Sequence, residues 1–227
     1  WGKERVQWGQ SVALHEAGRN KLAFIASTTL AMEAMTWLTS SWADEKKVDI
    51  RIEAAMAKLF CTEALWKITD ASMQLRGGRG YEKSQSLKAR GEVPFPVERM
   101  MRDCRINMIL EGTSEIMRLF LSREAMDPHL KMSIDLIKPG VSIIKKLKTA
   151  FGLAGFYAKW LPKQMVGSIK GKSFHDLEHL GSEFSFIDKS SHKLAKSLFL
   201  LMAKYQQKLE SKQMVLGRLM EVGTELF

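Results

Sequence analysis

Val97-Glu98-Arg99-Met100-Met101-Arg102-Asp103-Cys104-Arg105, with Leu110-Glu111-Gly112-Thr113-Ser114-Glu115-Ile116 just beyond it, is the stretch whose reading decides the fold. Before the break the pattern is helical: Val97, Met101 and Met108 share one side, and Glu98 and Arg102 form an i, i+4 pair on another. After the break, Thr113 is placed to cap a new helix, Glu115 suits the positive end of its dipole, and Ile116, Leu119 and Phe120 offer a buried stripe. Glu111 therefore sits in a short break between two helices, where a side chain can point into a cleft and serve as a general base. From spacing alone a second reading stays open, that Glu111 is a first-turn charge complementing the dipole.

Outward from this stretch the organisation is helices and turns. The spacing predicts a first helix from about Arg5 to Ser40, with Leu22, Ile25, Met32 and Met35 as its inner stripe, then a charged connection over Trp42–Val48. A second helix, near Ile50 to Leu75, turns Ile52, Met56, Leu59 and Trp66 inward and stops at Gly77-Gly78. The polar stretch from Glu82 to Glu92, bracketed by Gly80 and Pro94, reads as a surface loop. No sustained alternation of β-branched and polar residues marks a strand, so the expected fold is all-α, an antiparallel helical bundle. Exposed backbone amides at Gly77 and Gly78, flanked by Arg76 and Arg79, are a reasonable seat for phosphate oxygens, although the same glycines serve equally to end a helix.

Composition fits this reading. The 227 residues are 45% hydrophobic, enough for one good core or two small ones. No run of 18 uninterrupted apolar residues occurs, so no membrane span is expected. The chain opens on Trp1-Gly2-Lys3-Glu4 with no Met and no signal-like segment, and reads as a piece of something longer that begins inside a helix. Cys61 and Cys104 lie among apolar helical neighbours and are expected as buried free thiols in a reducing compartment; no metal site is expected.

Beyond Leu130 the character changes. Nine lysines from Lys131 to Lys172 are opposed only by Asp135 and interleaved with Ile143, Ile144, Leu147, Phe151, Phe156, Tyr157, Trp160 and Leu161. Such a stretch can lie on an anionic membrane surface, or pack on a neighbouring bundle with its lysines in water. Pro139, Gly140, Gly152, Gly155 and Pro162 are expected to break any long amphipathic face. Leu194, Leu198, Leu201, Tyr205 and Leu209 repeat at fours and threes, a stripe suited to a partner helix and to dimer support. The net charge of +10 also admits phosphate-backbone binding, but the lysines lack a recognition-helix pattern, and nucleic acid is not the expected partner.

From Arg5 to about Leu130 the chain resembles the carboxy-terminal helical domain of the acyl-CoA dehydrogenases. Arg5-Val6-Gln7-Trp8-Gly9 is similar to the family's Arg-x-x-aromatic-Gly on the first long helix of that domain. Gln74-Leu75-Arg76-Gly77-Gly78-Arg79-Gly80-Tyr81 is similar to its Gln-x-x-Gly-Gly-x-Gly-aromatic turn. Pro96-Val97-Glu98-Arg99 with Arg102-Asp103, and Glu111-Gly112-Thr113-Ser114-Glu115-Ile116, resemble its Pro-Val-Glu-Arg motif and its catalytic loop. The domain expected from this resemblance spans 1–130, followed by an additional helical region over 131–227, which the very-long-chain members also carry; the family's amino-terminal and middle β domains lie outside the chain.

The resemblance implies flavin-dependent α,β-dehydrogenation of an acyl-CoA thioester. Glu111 would be the base that removes the α-proton, and Gly112 would let the chain turn beside the thioester. FAD is the implied cofactor, its nucleotide end held across a dimer interface by Arg5, Val6, Gln7, His15, Glu16, Gln74, Gly77, Gly78, Thr113 and Glu115. Acyl-CoA and an electron-transfer flavoprotein are the implied partners, in a homodimer or tetramer, in a bacterial cytoplasm or mitochondrial matrix, with membrane-peripheral contact through 131–172. Glu16 and Glu115 stand where the family often has Gln, and Leu110 where an aromatic commonly precedes the base, which points to an altered acyl pocket. The chain alone is expected to hold FAD weakly or not at all. Two other classes of function stay open on the same fold: a non-catalytic helical scaffold, and a nucleic-acid or membrane binder such as the family's alkylation-response relatives.

Overall fold

The computed structural model describes residues 1–227, apart from the side chain of Ile137. In chain order the elements are β1 (Val6–Gln7), β2 (Gln10–Ser11), α1 (Glu16–Glu45), α2 (Arg51–Arg76), α3 (Gly78–Tyr81), α4 (Ser84–Ala89), α5 (Val97–Ile106), α6 (Ser114–Ile137), α7 (Ile143–Lys170), α8 (Gly181–Tyr205) and α9 (Gln213–Leu226), with 3-10 turns at Val12–Leu14, His175–Leu180 and Gln206–Ser211. The chain forms two compact units, Trp1–Met117 and Arg118–Phe227. The all-α expectation holds for both, apart from one small hairpin.

That hairpin corrects the expected start. Residues 5–15 hold no α-helix: Val6 pairs with Ser11 and Gln7 with Gln10 around Trp8 (φ 48) and Gly9 (φ 81), and a 3-10 turn follows at Val12–Leu14. Two successive positive-φ residues make the tight turn that suits a right-twisted two-residue hairpin, and they interrupt a helix. Helix α1 starts only at Glu16 and runs past Ser40 to Glu45, where Lys46 takes the left-handed cap (φ 53).

In the first unit α2 is the centre. Cys61 Sγ approaches Thr36 Oγ1 and the Met32 carbonyl of α1 at 3.9 Å, and Arg105 of α5 lies over the Trp66 ring at 5.7 Å. The stripe α1 turns inward is Ile25, Thr28, Met32, Met35 and Thr39, spaced by threes and fours; Leu22, expected on it, is exposed. Apolar residues on the far side of α1, Trp37 at 70% exposure among them, give it an 18-residue window of mean hydropathy 1.2, so length and composition alone would let it cross a membrane. Its inner stripe packs on α2, where Thr36 and the Met32 carbonyl meet Cys61. On α2, Leu59 is buried and Ile52, Met56 and Trp66 are half-buried, as the spacing predicts. Burial pushes the Cys61 and Cys104 thiols above their ordinary range, and both are free.

The stretch from Glu82 to Glu92 is not a plain loop. Its middle forms α4, whose Leu87 is fully buried, and Gly91 (φ 76) ends it. An apolar anchor at one position, with Ser86 and Arg90 both bonded to Glu82, folds an otherwise polar segment onto the bundle.

In the second unit α7 and α8 pack side by side. Tyr157 meets Phe199 with ring centroids 4.7 Å apart, and Gln164 Oε1 lies 2.6 Å from His192 Nδ1. Pro139 and Gly140 do separate α6 from α7, but Gly152, Gly155 and Pro162 do not break α7, which is one helix of 28 residues. Contacts with α8 on both sides of Pro162 offset the one backbone bond that proline removes. Leu198, Leu209 and Leu216 form a core, with Leu201 and Tyr205 against it; the stripe expected to meet a partner helix is used inside the unit, and Leu209 lies beyond α8 in a 3-10 turn.

His129 is stacked against Tyr157, edge-on to Phe156 and Trp160, with its Nδ1 2.8 Å from the Tyr157 hydroxyl. Burial lowers its pKa below the ordinary histidine value, so the folded unit favours the neutral ring. This stabilisation is complete above the unfolded pKa of about 6.5 and is lost as pH falls through the folded value. The thermal midpoint should fall between about pH 7 and pH 5, and His129→Phe should flatten that fall; equal slopes in both proteins would reject the assignment.

Candidate functional site

Helix α5 ends because its last turn tightens: Asn107 N–H donates to the Cys104 carbonyl, and Ile109 and Leu110 N–H both reach the Ile106 carbonyl at 2.9 Å. The expected Glu98–Arg102 pair is present at 2.7 Å. The chain then turns through Glu111 (φ 51) and Gly112 (φ 96), and Ser114 N–H closes the turn on the Met108 carbonyl at 3.2 Å. Thr113 caps α6 as expected, its Oγ1 accepting from the Ile116 N–H at 3.3 Å. The stripe expected after the cap is displaced: Ile116 and Phe120 are exposed, whereas Leu121 and Ser122 are buried.

Gly112 has a further constraint, because a Cβ there would lie 2.7 Å from Met117 Sδ. From α2, the Lys58 ammonium donates to the Gly112 carbonyl. Nothing in the sequence marks Lys58 as more than a helical lysine, and only the packing of α2 beside this turn brings it there. The Glu111 side chain is exposed, and of its apolar neighbours Met108 is half-buried while Ile109 and Leu110 are exposed. The apolar pocket expected around the base is thus not enclosed by this chain's own residues.

The other expected site residues fall into two groups. Gln7 and His15 meet through the hairpin: His15 Nε2 is 3.0 Å from the Gln7 carbonyl and Nδ1 is 2.9 Å from Gln10 Nε2, so His15 is a satisfied histidine just before α1. Arg5, Val6 and Glu16 are exposed beside it. Gln74, Gly77 and Gly78 stand at the end of α2, near this hairpin: the space beside Gly2 is bounded by Ala13 and by Leu75 Cδ2 at 3.9 Å. Thr113 and Glu115 belong to the other group, beside Lys58. Positions 58 and 74 lie along one helix, about 24 Å apart at a rise of about 1.5 Å per residue. One chain does not bring the two groups together.

The glycine turn is open: a Cβ at Gly77 or Gly78 would meet nothing within 4 Å. Its two arginines differ in their engagements. Arg79 makes two bonds to Glu92, at 2.6 and 3.0 Å, and the Arg76 guanidinium lies over the Phe95 ring at 5.3 Å. Arg79 is thus committed to Glu92, whereas Arg76 keeps an unpartnered Nε near the backbone N–H groups at the start of α3. Among the described residues, buried polar atoms without a hydrogen-bond partner include Arg76 Nε and Ser114 Oγ, one at each end of the expected nucleotide contacts.

The fold and this loop define a helical domain of the acyl-CoA dehydrogenase kind. The family model "Acyl-CoA dehydrogenase, C-terminal domain" matches residues 1–126, and the chain belongs to that family. It is 49% identical over its whole length to "Probable acyl-CoA dehydrogenase FadE10" of Mycobacterium tuberculosis, covering 35% of that protein. It is 29% identical over 98% of its length to the human "Very long-chain specific acyl-CoA dehydrogenase, mitochondrial", covering 32% of it. The chain therefore spans about a third of the curated relatives it matches. A solved structure, an acyl-CoA dehydrogenase complexed with FAD from Bacillus anthracis, matches all of the chain at a TM-score of 0.70 and 22% identity, covering 36% of that chain. It shares the fold.

Gly112→Ala should destabilise by about 1–3 kcal/mol, because it strains a positive-φ position and drives a methyl into Met117. Gly152→Ala, in open space on α7, should instead stabilise by about 0.5–1 kcal/mol. Urea unfolding of the two variants checks the contrast, which fails if both shift the midpoint the same way.

Proposed function

We propose that this chain supplies the carboxy-terminal domain of a flavin-dependent acyl-CoA dehydrogenase, an oxidoreductase of fatty-acid metabolism, with Glu111 as its base. The observation that carries this reading is the Glu111 backbone. A non-glycine residue at φ 51, held in a turn closed at 108–114 ahead of a capped helix, is strain that the surrounding structure maintains, and such strain clusters at functional sites. Family membership, and the relatives' names, give that strain a chemistry.

In the reaction the Glu111 carboxylate takes the proton from the carbon α to the thioester carbonyl. That C–H electron pair becomes the new double bond as a hydride leaves the β carbon. A bound FAD would supply the acceptor for that hydride. The charge developing on the thioester oxygen needs a donor, and the backbone N–H of Glu111 is a suitable one. Gly112 keeps a side chain away from the thioester. Arg5, Val6, Gln7, His15, Glu16, Gln74, Gly77 and Gly78 would line one end of the flavin nucleotide, and Thr113 and Glu115 the other. These two groups would hold the flavin nucleotide, and the family resemblance favours at least a homodimer. The unsatisfied Arg76 Nε and Ser114 Oγ are consistent with ligand atoms at both ends. The division into a dehydrogenase domain over 1–130 and an added region over 131–227 belongs to the same reading, as does an electron-transfer flavoprotein as acceptor.

A second property is favoured by α7. Ile144, Leu147, Phe151, Met165 and Ile169 recur at threes, fours and multiples of seven along its outer side, with Phe151 77% and Ile144 81% exposed. Exposed Lys148, Lys159, Lys163 and Lys170 run along one flank of that stripe. An apolar face edged by cations fits the interface of an anionic membrane, and we place the peripheral contact there.

Two experiments test these readings. In the flavin-loaded full-length enzyme, anaerobic acyl-CoA should bleach the flavin, with one chain length in a saturated series the fastest. Glu111→Gln should slow bleaching by about 10²–10⁴-fold; full activity in that variant would sink the assignment. The protein should sediment with phosphatidylglycerol vesicles and less so at high salt, whereas Phe151→Ser with Ile169→Ser should stay in the supernatant. Wild-type protein left in solution at low salt would exclude the membrane contact.

A further inference from the structure

The turn that carries Glu111 is held from three directions: by the end of α5 through the Ile106 and Met108 carbonyls, by Met117 of α6 filling the space beside Gly112, and by Lys58 of α2 through the Gly112 carbonyl. The first two lie within a dozen residues of Glu111, whereas Lys58 stands 54 positions before Gly112. It alone among these three fixes the turn to the body of the bundle. Lys58 is half-buried, three positions along α2 from Ala55 and one from Leu59, both of which are buried. Its stem is therefore constrained by packing while its ammonium reaches the carbonyl. A bond from a charged donor is stronger than one between neutral groups, and this acceptor carries the rotation that follows Glu111 in the chain.

We propose that Lys58 is a positioning residue for the base: it fixes the Gly112 peptide, and through it the strained Glu111 backbone, so that the carboxylate and the Glu111 N–H meet the thioester together. Lys58 touches no reacting atom in this scheme and moves no proton. The proposal rests on the dehydrogenase reading given above. A base displaced by about 1 Å costs on the order of 10²-fold in rate, which sets the size of the expected effect.

The test uses the flavin-loaded full-length enzyme carrying Lys58→Met, Lys58→Arg and, separately, Glu111→Gln. Lys58→Met keeps the apolar stem and loses the donor, and Lys58→Arg keeps a cationic donor. The expected result is bleaching by saturating acyl-CoA about 10–100-fold slower in Lys58→Met, with the half-saturating concentration nearly unchanged and most of the rate recovered in Lys58→Arg. Amide hydrogen exchange, which does not depend on turnover, should quicken at 110–114 in Lys58→Met and remain slow in Lys58→Arg. Unchanged bleaching and exchange in Lys58→Met, with bleaching lost in Glu111→Gln, overturns the role of Lys58 and leaves the dehydrogenase reading standing. Bleaching retained in Glu111→Gln overturns both. If Lys58→Met does not fold, Lys58→Arg decides: wild-type exchange with wild-type bleaching supports the tie, and slowed bleaching in a protein of unaltered exchange rejects it.

Discussion

Helix α2 is the constraint on which the first unit depends. It is half-buried or buried at most positions from Ile52 to Leu75, carries α1 on one side and α5 on another, and ends where the chain must reverse into α3. That reversal is possible because Gly80 has no side chain: a Cβ there would lie 2.6 Å from the Met73 carbonyl, so nothing larger lets α3 close onto the end of α2. One end of α2 presents the open glycine turn and the other holds the turn of Glu111 through Lys58. A single rigid element thus sets the separation between the two groups of candidate residues.

Electrostatics near the glycine turn is arranged differently from what charge alone implies. Arg79, with Glu92 opposite, is committed to holding the stretch from Glu82 to Glu92 in place, and Arg90 lies between Glu82 and Glu92. The pairing raises the Arg79 pKa and lowers that of Glu92, chiefly through their mutual hydrogen bonds. Both side chains are partly open to water, where such pairs add little stability, so their consequence is mainly conformational. They dock α4 beside the turn.

Helix α7 shows how one helix serves two environments. Its inner stripe, Leu153, Tyr157, Trp160, Gln164 and Ser168, meets α8 through aromatic rings near the middle and through the Gln164–His192 bond further along. The His192 ring lies over Gly167, where any Cβ would clash with it. Its outer stripe is apolar and exposed. A helix of this kind gains its stability from the face it buries.

Much of the site was legible in local sequence. Glu98 with Arg102, Thr113 before α6 and the glycines at 77–78 act through neighbours a few residues away, so spacing was enough to place them. Burial patterns failed where they depend on partners distant in sequence. Leu22 and Ile116 are expected inside and are exposed, Leu87 is expected in a solvated loop and is buried, and Gly152, Gly155 and Pro162, expected to break a long amphipathic face, lie within a single helix that packs on α8. The hairpin at Val6–Ser11 was missed because two residues per strand give no alternation to detect. Sequence by itself determined the class of fold and the position of Glu111, because helix periodicity and capping are local. Tertiary structure alone decided that Lys58 ties the turn of Glu111, that Glu92 takes Arg79, and that the candidate residues fall in two groups along α2, because each joins residues whose separation along the chain carries no signal of their proximity in space.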